Sequence, residues 1–211
     1  GRIPQKVEIS GVHDPNADGD QNCTFNVSVN VDATTAPAYN GSLSNEITLP
    51  QPLVCRNIDN DTAGVILKPV KEGACKVNEQ QNLTFTVEVF LTSEPAPNTH
   101  VNVTIHNDNP DECQTNVSSL LFDSSNWDSG LAVLISGLND DVVDGPKNCT
   151  FNFTVDTDAT NAPAYTGSVS LPPPLVCTNI DNDTAGVEIR STTPDPCEVN
   201  ERQNLTTTVE L

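Results

Sequence analysis

Apolar and polar residues alternate with a period of two through much of this chain. Leu83, Phe85, Val87 and Val89 alternate with Asn82, Thr84, Thr86 and Glu88, and Val101, Val103 and Ile105 with Asn102, Thr104 and His106. Cys149, Phe151, Phe153 and Val155 alternate in the same way with Asn148, Thr150, Asn152 and Thr154. Successive side chains of a strand point to opposite faces, so each run predicts a strand with one face on a core and the other in solvent. Gly64–Leu67, Ser119–Phe122, Leu131–Ser136 and Gly167–Val176 bring the count to about seven strands, bounded by Gly, Pro, Asn and Asp turns. No segment argues for a long helix. Seven short strands in ~120 residues predict an all-β fold of antiparallel, immunoglobulin-like sandwiches. Pro172–Pro174 places part of the last strand at an edge or a bulge.

Self-comparison shows a repeat. "ISGVHDPNADGDQNCTFNVSVNVDATTAPAYNGS" from Ile9 returns as "ISGLNDDVVDGPKNCTFNFTVDTDATNAPAYTGS" from Ile135. "LPQPLVCRNIDNDTAGV" from Leu49 returns from Leu171, and "CKVNEQQNLTFTVEV" from Cys75 returns from Cys197 as "CEVNERQNLTTTVEL". The period of about 122 residues is that of a domain rather than of a solenoid rung. With boundaries at the Asp-Asn-Asp-Thr signal, residues 1–61 read as the C-terminal part of a repeat, 62–183 as a complete repeat, and 184–211 as the N-terminal strands of a further one. Gly1 and the absence of methionine lead us to expect a processed or partial chain.

Composition narrows the setting. The 211 residues carry 29 acidic and 9 basic side chains, a formal charge of −20, and the sequence pI is about 4.1. The basic patches that nucleic acid or an anionic membrane surface requires are missing, so neither is expected as a partner. No apolar run approaches the ~20 residues of a membrane span, and direct membrane insertion is not expected. Asn-X-Ser/Thr occurs at Asn22, Asn26, Asn40, Asn60, Asn82, Asn102, Asn116, Asn148, Asn152, Asn182 and Asn204. Chance would give only about four such sites in a chain of this composition. The excess predicts a secreted, N-glycosylated protein of a eukaryotic secretory pathway, extracellular or at the cell surface. In most strand-borne sites the middle residue is apolar or Cys, so the glycans would stand on the solvent face while that residue packs inward.

The seven cysteines suit an oxidising compartment. Cys149 opens one predicted strand and Cys177 closes the next, Cys23 and Cys55 repeat this, and Cys75 opens a strand with Cys113 after its successor. The expected bridges are Cys23–Cys55, Cys75–Cys113 and Cys149–Cys177. Sequence alone does not fix connectivity. Cys197 corresponds to Cys75, with its partner expected beyond Leu211 or in another subunit. No clustered Cys/His spacing points to zinc. His13, His100 and His106 form no motif. Trp127 is expected to anchor core packing, and Tyr39 and Tyr165, in matching Ala-Pro-Ala-Tyr loops, to cap a core or meet a neighbour.

The segment "SLLFDSSNWDSGLAVLISGLNDDVVDG", a strand, and then "NIDNDTAGV" resemble the Calx-β repeat, a calcium-binding sandwich of sodium–calcium exchangers and large surface proteins. The resemblance covers 62–183 and the matching parts of both flanking segments. It implies calcium ligands at Glu79, at Asp140, Asp141 and Asp144, and at Asp181 and Asp183. Calcium takes six to eight oxygen ligands, which converging loop carboxylates supply. Lys147 stands where the family offers another acid, and Pro15 replaces the counterpart of Asp141. The competing reading is a set of Asp-rich turns whose carboxylates bond their own backbone.

No nucleophile elbow, phosphate loop or zinc-protease motif is present. The sequence leads us to expect a non-enzymatic structural subunit of an extracellular, N-glycosylated filament, self-associating end to end through its repeats. Strands at 184–211 would join strands at 1–61 of the next subunit. The alternative is a calcium-dependent adhesion or recognition module.

Overall fold

The computed structural model describes residues 5–39 and 47–187, together with the strand pairs 190–191 and 209–210. Asn40, Cys197 and Asn204 lie outside the described residues. Two short strands, β1 (Gln21–Phe25) and β2 (Leu53–Asn57), form an antiparallel ladder of their own. There follow β3 (Val65–Pro69), β4 (Cys75–Asn78), β5 (Thr84–Leu91), β6 (Val101–Asn107), β7 (Cys113–Thr115) and β8 (Ser119–Phe122). β9 (Leu131–Gly137), β10 (Lys147–Val155) and β11 (Leu175–Ile180) complete a two-layer fold. One sheet has the order β4-β11-β10-β6-β8 and the other β3-β5-β9-β7. Among the described residues the only helical turn is a 3₁₀ turn at Pro163–Tyr165. The fold is all-β and sandwich-like. Among the described residues no helix is long and apolar enough to cross a membrane.

The alternation read from the sequence is what divides these layers. In β5, Phe85, Val87, Val89 and Leu91 are buried while the residues between them are not. Val101 and Val103 of β6, Val133 and Ile135 of β9, and Phe151 and Phe153 of β10 do the same from both sheets. Their inner faces meet in one core, against which Trp127 packs partly buried. Removing a Phe from such a site typically costs about 3–5 kcal/mol. Tyr165 is fully buried; its hydroxyl donates to the Ser93 carbonyl at 2.7 Å and accepts from the Ser93 N–H at 3.2 Å.

Two sequence expectations about strands need correction. The last strand does not run over Gly167–Val176. Ser170 makes only an isolated parallel bridge with Gly64, and the consecutive prolines at 172–174 have no N–H to give, so the ladder of this strand begins at Leu175, after them. Nine strands, not seven, build the two layers between Val65 and Ile180. β4 and β7 span only four and three residues, too short to show a period.

The disulfides differ from expectation for a related reason. Cys75 bonds Cys177, and Cys113 bonds Cys149. The expected Cys75–Cys113 and Cys149–Cys177 bridges are therefore not formed. β11 lies between β10 and β4, so Cys177 has Cys149 opposite it on one side and Cys75 on the other. Cys177 bonds sideways to Cys75, while Cys149 reaches across the core to Cys113 on β7 of the facing sheet. The bonds close separations of 102 and 36 residues. In the chain-entropy account these are worth about 4.7 and 3.8 kcal/mol. Cys23 and Cys55 sit directly opposite each other on β1 and β2, yet both are free. They repeat the relation of Cys149 to Cys177, two residues that take their partners from other strands.

The flanking strands β12 (Arg190–Ser191) and β13 (Val209–Glu210) pair Arg190 with Glu210 and Ser191 with Val209. One period earlier, β3 and β5 pair Lys68 with Glu88 and Pro69 with Val87. The repeat thus carries its register as well as its sequence.

Candidate functional site

The acidic residues of the repeat gather where β11 leaves the sandwich. Ile180 ends β11, and its carbonyl accepts the Glu79 N–H at 3.3 Å, drawing the turn after β4 against the outgoing chain. Glu79 is 2% exposed. Its Oε2 accepts the Asn182 N–H at 3.1 Å. Asn179, also buried, donates from its amide to the Glu112 carbonyl at 3.0 Å and the Leu138 carbonyl at 3.2 Å, so the end of β11 is tied to both sheets. This close packing requires Gly137: a Cβ there would fall on Asn179 Oδ1 and the Asn78 carbonyl.

Of the six acids implied as ligands, three converge. One carboxylate oxygen from each of Glu79, Asp140 and Asp183 lies within 4.8 Å of the others. Asp183 Oδ2 is a buried oxygen with no hydrogen-bond partner. Burial, and then the charges of Asp181, Asp140 and Asp183, push the Glu79 carboxyl above its usual range, against the lowering effect of the Asn182 N–H. Burial, followed by Asp181, Asp141, Asp140 and Asp144, raises Asp183 in the same way. Lys147 lies near this cluster but pairs with Asp144, and carboxylates gathered in excess of the nearby positive charge favour protonation or a bound cation. An all-oxygen set suits a hard cation such as calcium rather than zinc. The orphaned Asp183 oxygen fits that requirement.

The other three acids have different surroundings. Asp181 organises the loop: its Oδ1 accepts the Asp183 N–H at 2.6 Å, and its Oδ2 accepts those of Gly145 at 2.7 Å and Asp144 at 3.1 Å. The Asp183 N–H, then that of Gly145, holds the Asp181 carboxyl below its usual range. Asp144 pairs with Lys147 Nζ at 3.0 Å, a contact that raises the lysine. Asp141 is exposed and outside the converging trio. The Asp-turn reading therefore describes Asp181, and the ligand reading fits Glu79, Asp140 and Asp183. Sequence inspection missed Asn179 and Gly137, although each recurs one repeat earlier as Asn57 and Gly11.

That earlier copy has the same loop. Asp59 accepts the Gly19 N–H at 2.7 Å and the Asp61 N–H at 2.8 Å, and Asn57 donates to the Val12 carbonyl at 3.1 Å. His13 Nδ1 lies 3.6 Å from Asp61. The loop rests on the following sandwich: the Glu94 N–H donates to the Pro15 carbonyl at 2.8 Å, and Ala17 packs against the core.

Three of the sequon asparagines share one face. Asn148 and Asn152 of β10 and Asn102 of β6 stand on the outer side of the five-stranded sheet, opposite the buried Cys149, Phe153 and Val103. Thr104 and Thr154, from two of these sequons, hydrogen-bond each other across the ladder at 3.0 Å. Asn22, Asn26, Asn60, Asn82, Asn116 and Asn182 are exposed. Val27, between Asn26 and Ser28, is exposed rather than packed.

No protein-family model and no curated protein matches the chain. Among solved structures it is similar to a chain of the Coh-OlpC–Doc435 complex, a type I cohesin–dockerin complex from Clostridium thermocellum. The identity is 15% and the TM-score 0.25, over 58% of this chain and 98% of that one.

Proposed function

We propose that the chain is a non-enzymatic structural subunit of an extracellular, N-glycosylated filament, in which Calx-β-like sandwiches follow one another end to end. The observation that carries this reading is the contact between successive repeats: the Pro15 carbonyl accepts the Glu94 N–H at 2.8 Å, and Ala17 packs against the core of the following sandwich. A loop of one repeat seated on the next supports a serial, end-to-end arrangement. The two disulfides belong to an oxidising compartment, and the outward sequons would coat the rod in neutral sugar. Negative-stain imaging of the secreted chain tests the reading: regular fibres are expected, and dispersed short particles at every concentration would overturn it.

A second reading, a calcium-dependent adhesion module, is favoured by one observation, the convergence of Glu79, Asp140 and Asp183. In it the cation would stiffen each junction between repeats. The two readings are compatible at the level of the site and differ in self-assembly.

A further inference from the structure

The two disulfides of the complete repeat meet inside the core. Each joins a cysteine on an inner strand to one on the end strand of a sheet: Cys177 on β11 to Cys75 on β4, and Cys149 on β10 to Cys113 on β7. The two inner cysteines face each other. In the β10–β11 ladder Cys149 stands directly opposite Cys177, and both are fully buried on the same side of the sheet. Opposed residues of an antiparallel pair have Cβ atoms about 4.5–5.5 Å apart, close to the span of a disulfide. Cys177 thus has a bonded sulfur beside it on β4 and a second, unbonded to it, within reach on β10.

Access differs among the four. Cys75 is 5% exposed, Cys113 1%, and Cys149 and Cys177 are both 0% exposed. β4 spans only four residues and is the end strand of its sheet, so it opens locally at less cost than the strands inside. Lys76, exposed beside Cys75, favours the approach of an anionic thiolate.

We propose that Cys75–Cys177 is the entry of a thiol-exchange relay, a site for a low-molecular-weight thiol such as glutathione, which replaces the two native bonds by Cys149–Cys177 and unfastens both end strands. The incoming thiolate bonds the Cys75 sulfur as the Cys75–Cys177 bond breaks, leaving Cys177 as a thiolate. That thiolate bonds the Cys149 sulfur as the Cys113–Cys149 bond breaks, and Cys113 leaves with the proton the small thiol gave up. One thiol and two disulfides enter the exchange, and one thiol and two disulfides result. A second small thiol then displaces Cys75 and departs as the oxidised dimer, so two small thiols are oxidised and the thiols of Cys75 and Cys113 remain.

The consequence falls on the acidic site. β4 ends at Asn78 and Glu79 follows it, so an unfastened β4 loosens one of the three converging carboxylates, while β10 and β11, which lead to Asp183, stay stapled to each other. The relay therefore couples the thiol content of the surroundings to the geometry of Glu79, Asp140 and Asp183. It uses one chain only and is independent of end-to-end assembly.

The test uses the full chain secreted from eukaryotic cells. Thiols already accessible are blocked with iodoacetamide, and the protein is held in reduced glutathione under native conditions. Samples taken with time are quenched in acid, unfolded, labelled with N-ethylmaleimide and mapped as peptides without reduction. The expected first products are glutathione on Cys75, maleimide on Cys113 and a linked Cys149–Cys177 peptide, all rising together. Trypsin applied briefly to parallel native samples should cut after Lys76 severalfold faster as the linked peptide accumulates. Maleimide on Cys177 with Cys113–Cys149 intact would show simple opening and overturn the relay. Glutathione arriving first on Cys113, all four cysteines labelled at one rate, or a linked peptide without faster cleavage at Lys76 would each overturn the proposal as well.

Discussion

The Asn182 N–H donates to the Glu79 carboxylate at 3.1 Å, joining residues 103 positions apart at the mouth of the acidic site. This bond fixes one oxygen of Glu79 and leaves the other for a ligand. Raising calcium from an EGTA-buffered solution to a hundredfold above the dissociation constant is expected to stabilise the fold by about 2.7 kcal/mol, a shift of several degrees in Tm. Glu79→Gln keeps an acceptor for Asn182 but removes the charge. It should melt higher than the parent chain in EGTA and show little response to calcium. Differential scanning calorimetry of both proteins checks this, and a parent transition indifferent to calcium would remove the site as assigned.

Gly137 separates close packing from turn conformation. Its neighbours Asn179 and Asn78 occupy the volume a methyl group would need, and Asn78 meets it with backbone. Gly137→Ala is expected to cost about 3 kcal/mol, at the upper end of overpacking substitutions. Gly145 has φ of +75° and open space around it, so Gly145→Ala should cost only about 1 kcal/mol, from the left-handed backbone alone. Urea unfolding of the two variants measures both, and equal losses would contradict the packing account.

Asp108 gives a pH dependence of defined sign. Its Oδ1 accepts the Thr150 N–H at 2.6 Å, and that bond, followed by one from the Thr150 hydroxyl, lowers the carboxyl below its ordinary value of 3.8. Asp123 is lowered by the hydroxyl and N–H of Ser125. A carboxyl with a depressed folded-state pKa contributes stability that is complete above the unfolded value and lost as pH falls through the folded one. Asp108→Asn and Asp123→Asn should therefore be less stable than the parent at pH 7 and converge with it as pH falls through the lowered folded-state pKa. Denaturant midpoints across pH 2.5–7 test this; a constant gap would show that the carboxylate charge is not the cause.

Much of this architecture was legible because a strand with one buried face writes its period into the chain. Phe85, Val87 and Val89 are buried as their alternation predicts, and the 122-residue repeat locates the same strand twice. A strand opening at Cys75 was legible, and β4 starts there, but the three-residue strand at Cys113 carries no period. The strand order was not legible either: unless β4 is known to lie beside β11, nothing in the sequence says that Cys177 has two cysteine neighbours. Within the candidate site, the resemblance to the Calx-β repeat named the acids, three of which the fold brings together. That resemblance could not separate Asp181, whose oxygens are filled by backbone N–H groups, from Asp183, one of whose oxygens is buried without a partner.

Tyr165 and Tyr39 occupy the same place in two repeats and provide an internal comparison of a buried and an exposed tyrosine. Tyr165 is buried with its hydroxyl bonded to both the carbonyl and the N–H of Ser93, whereas Tyr39 is 50% exposed. Tyr165→Phe strands those buried Ser93 groups and is expected to cost about 1–3 kcal/mol. In the isolated chain Tyr39→Phe should stay within about 0.5 kcal/mol of the parent, as exposed substitutions do. Urea unfolding of both variants measures the difference, and equal losses would contradict the burial account.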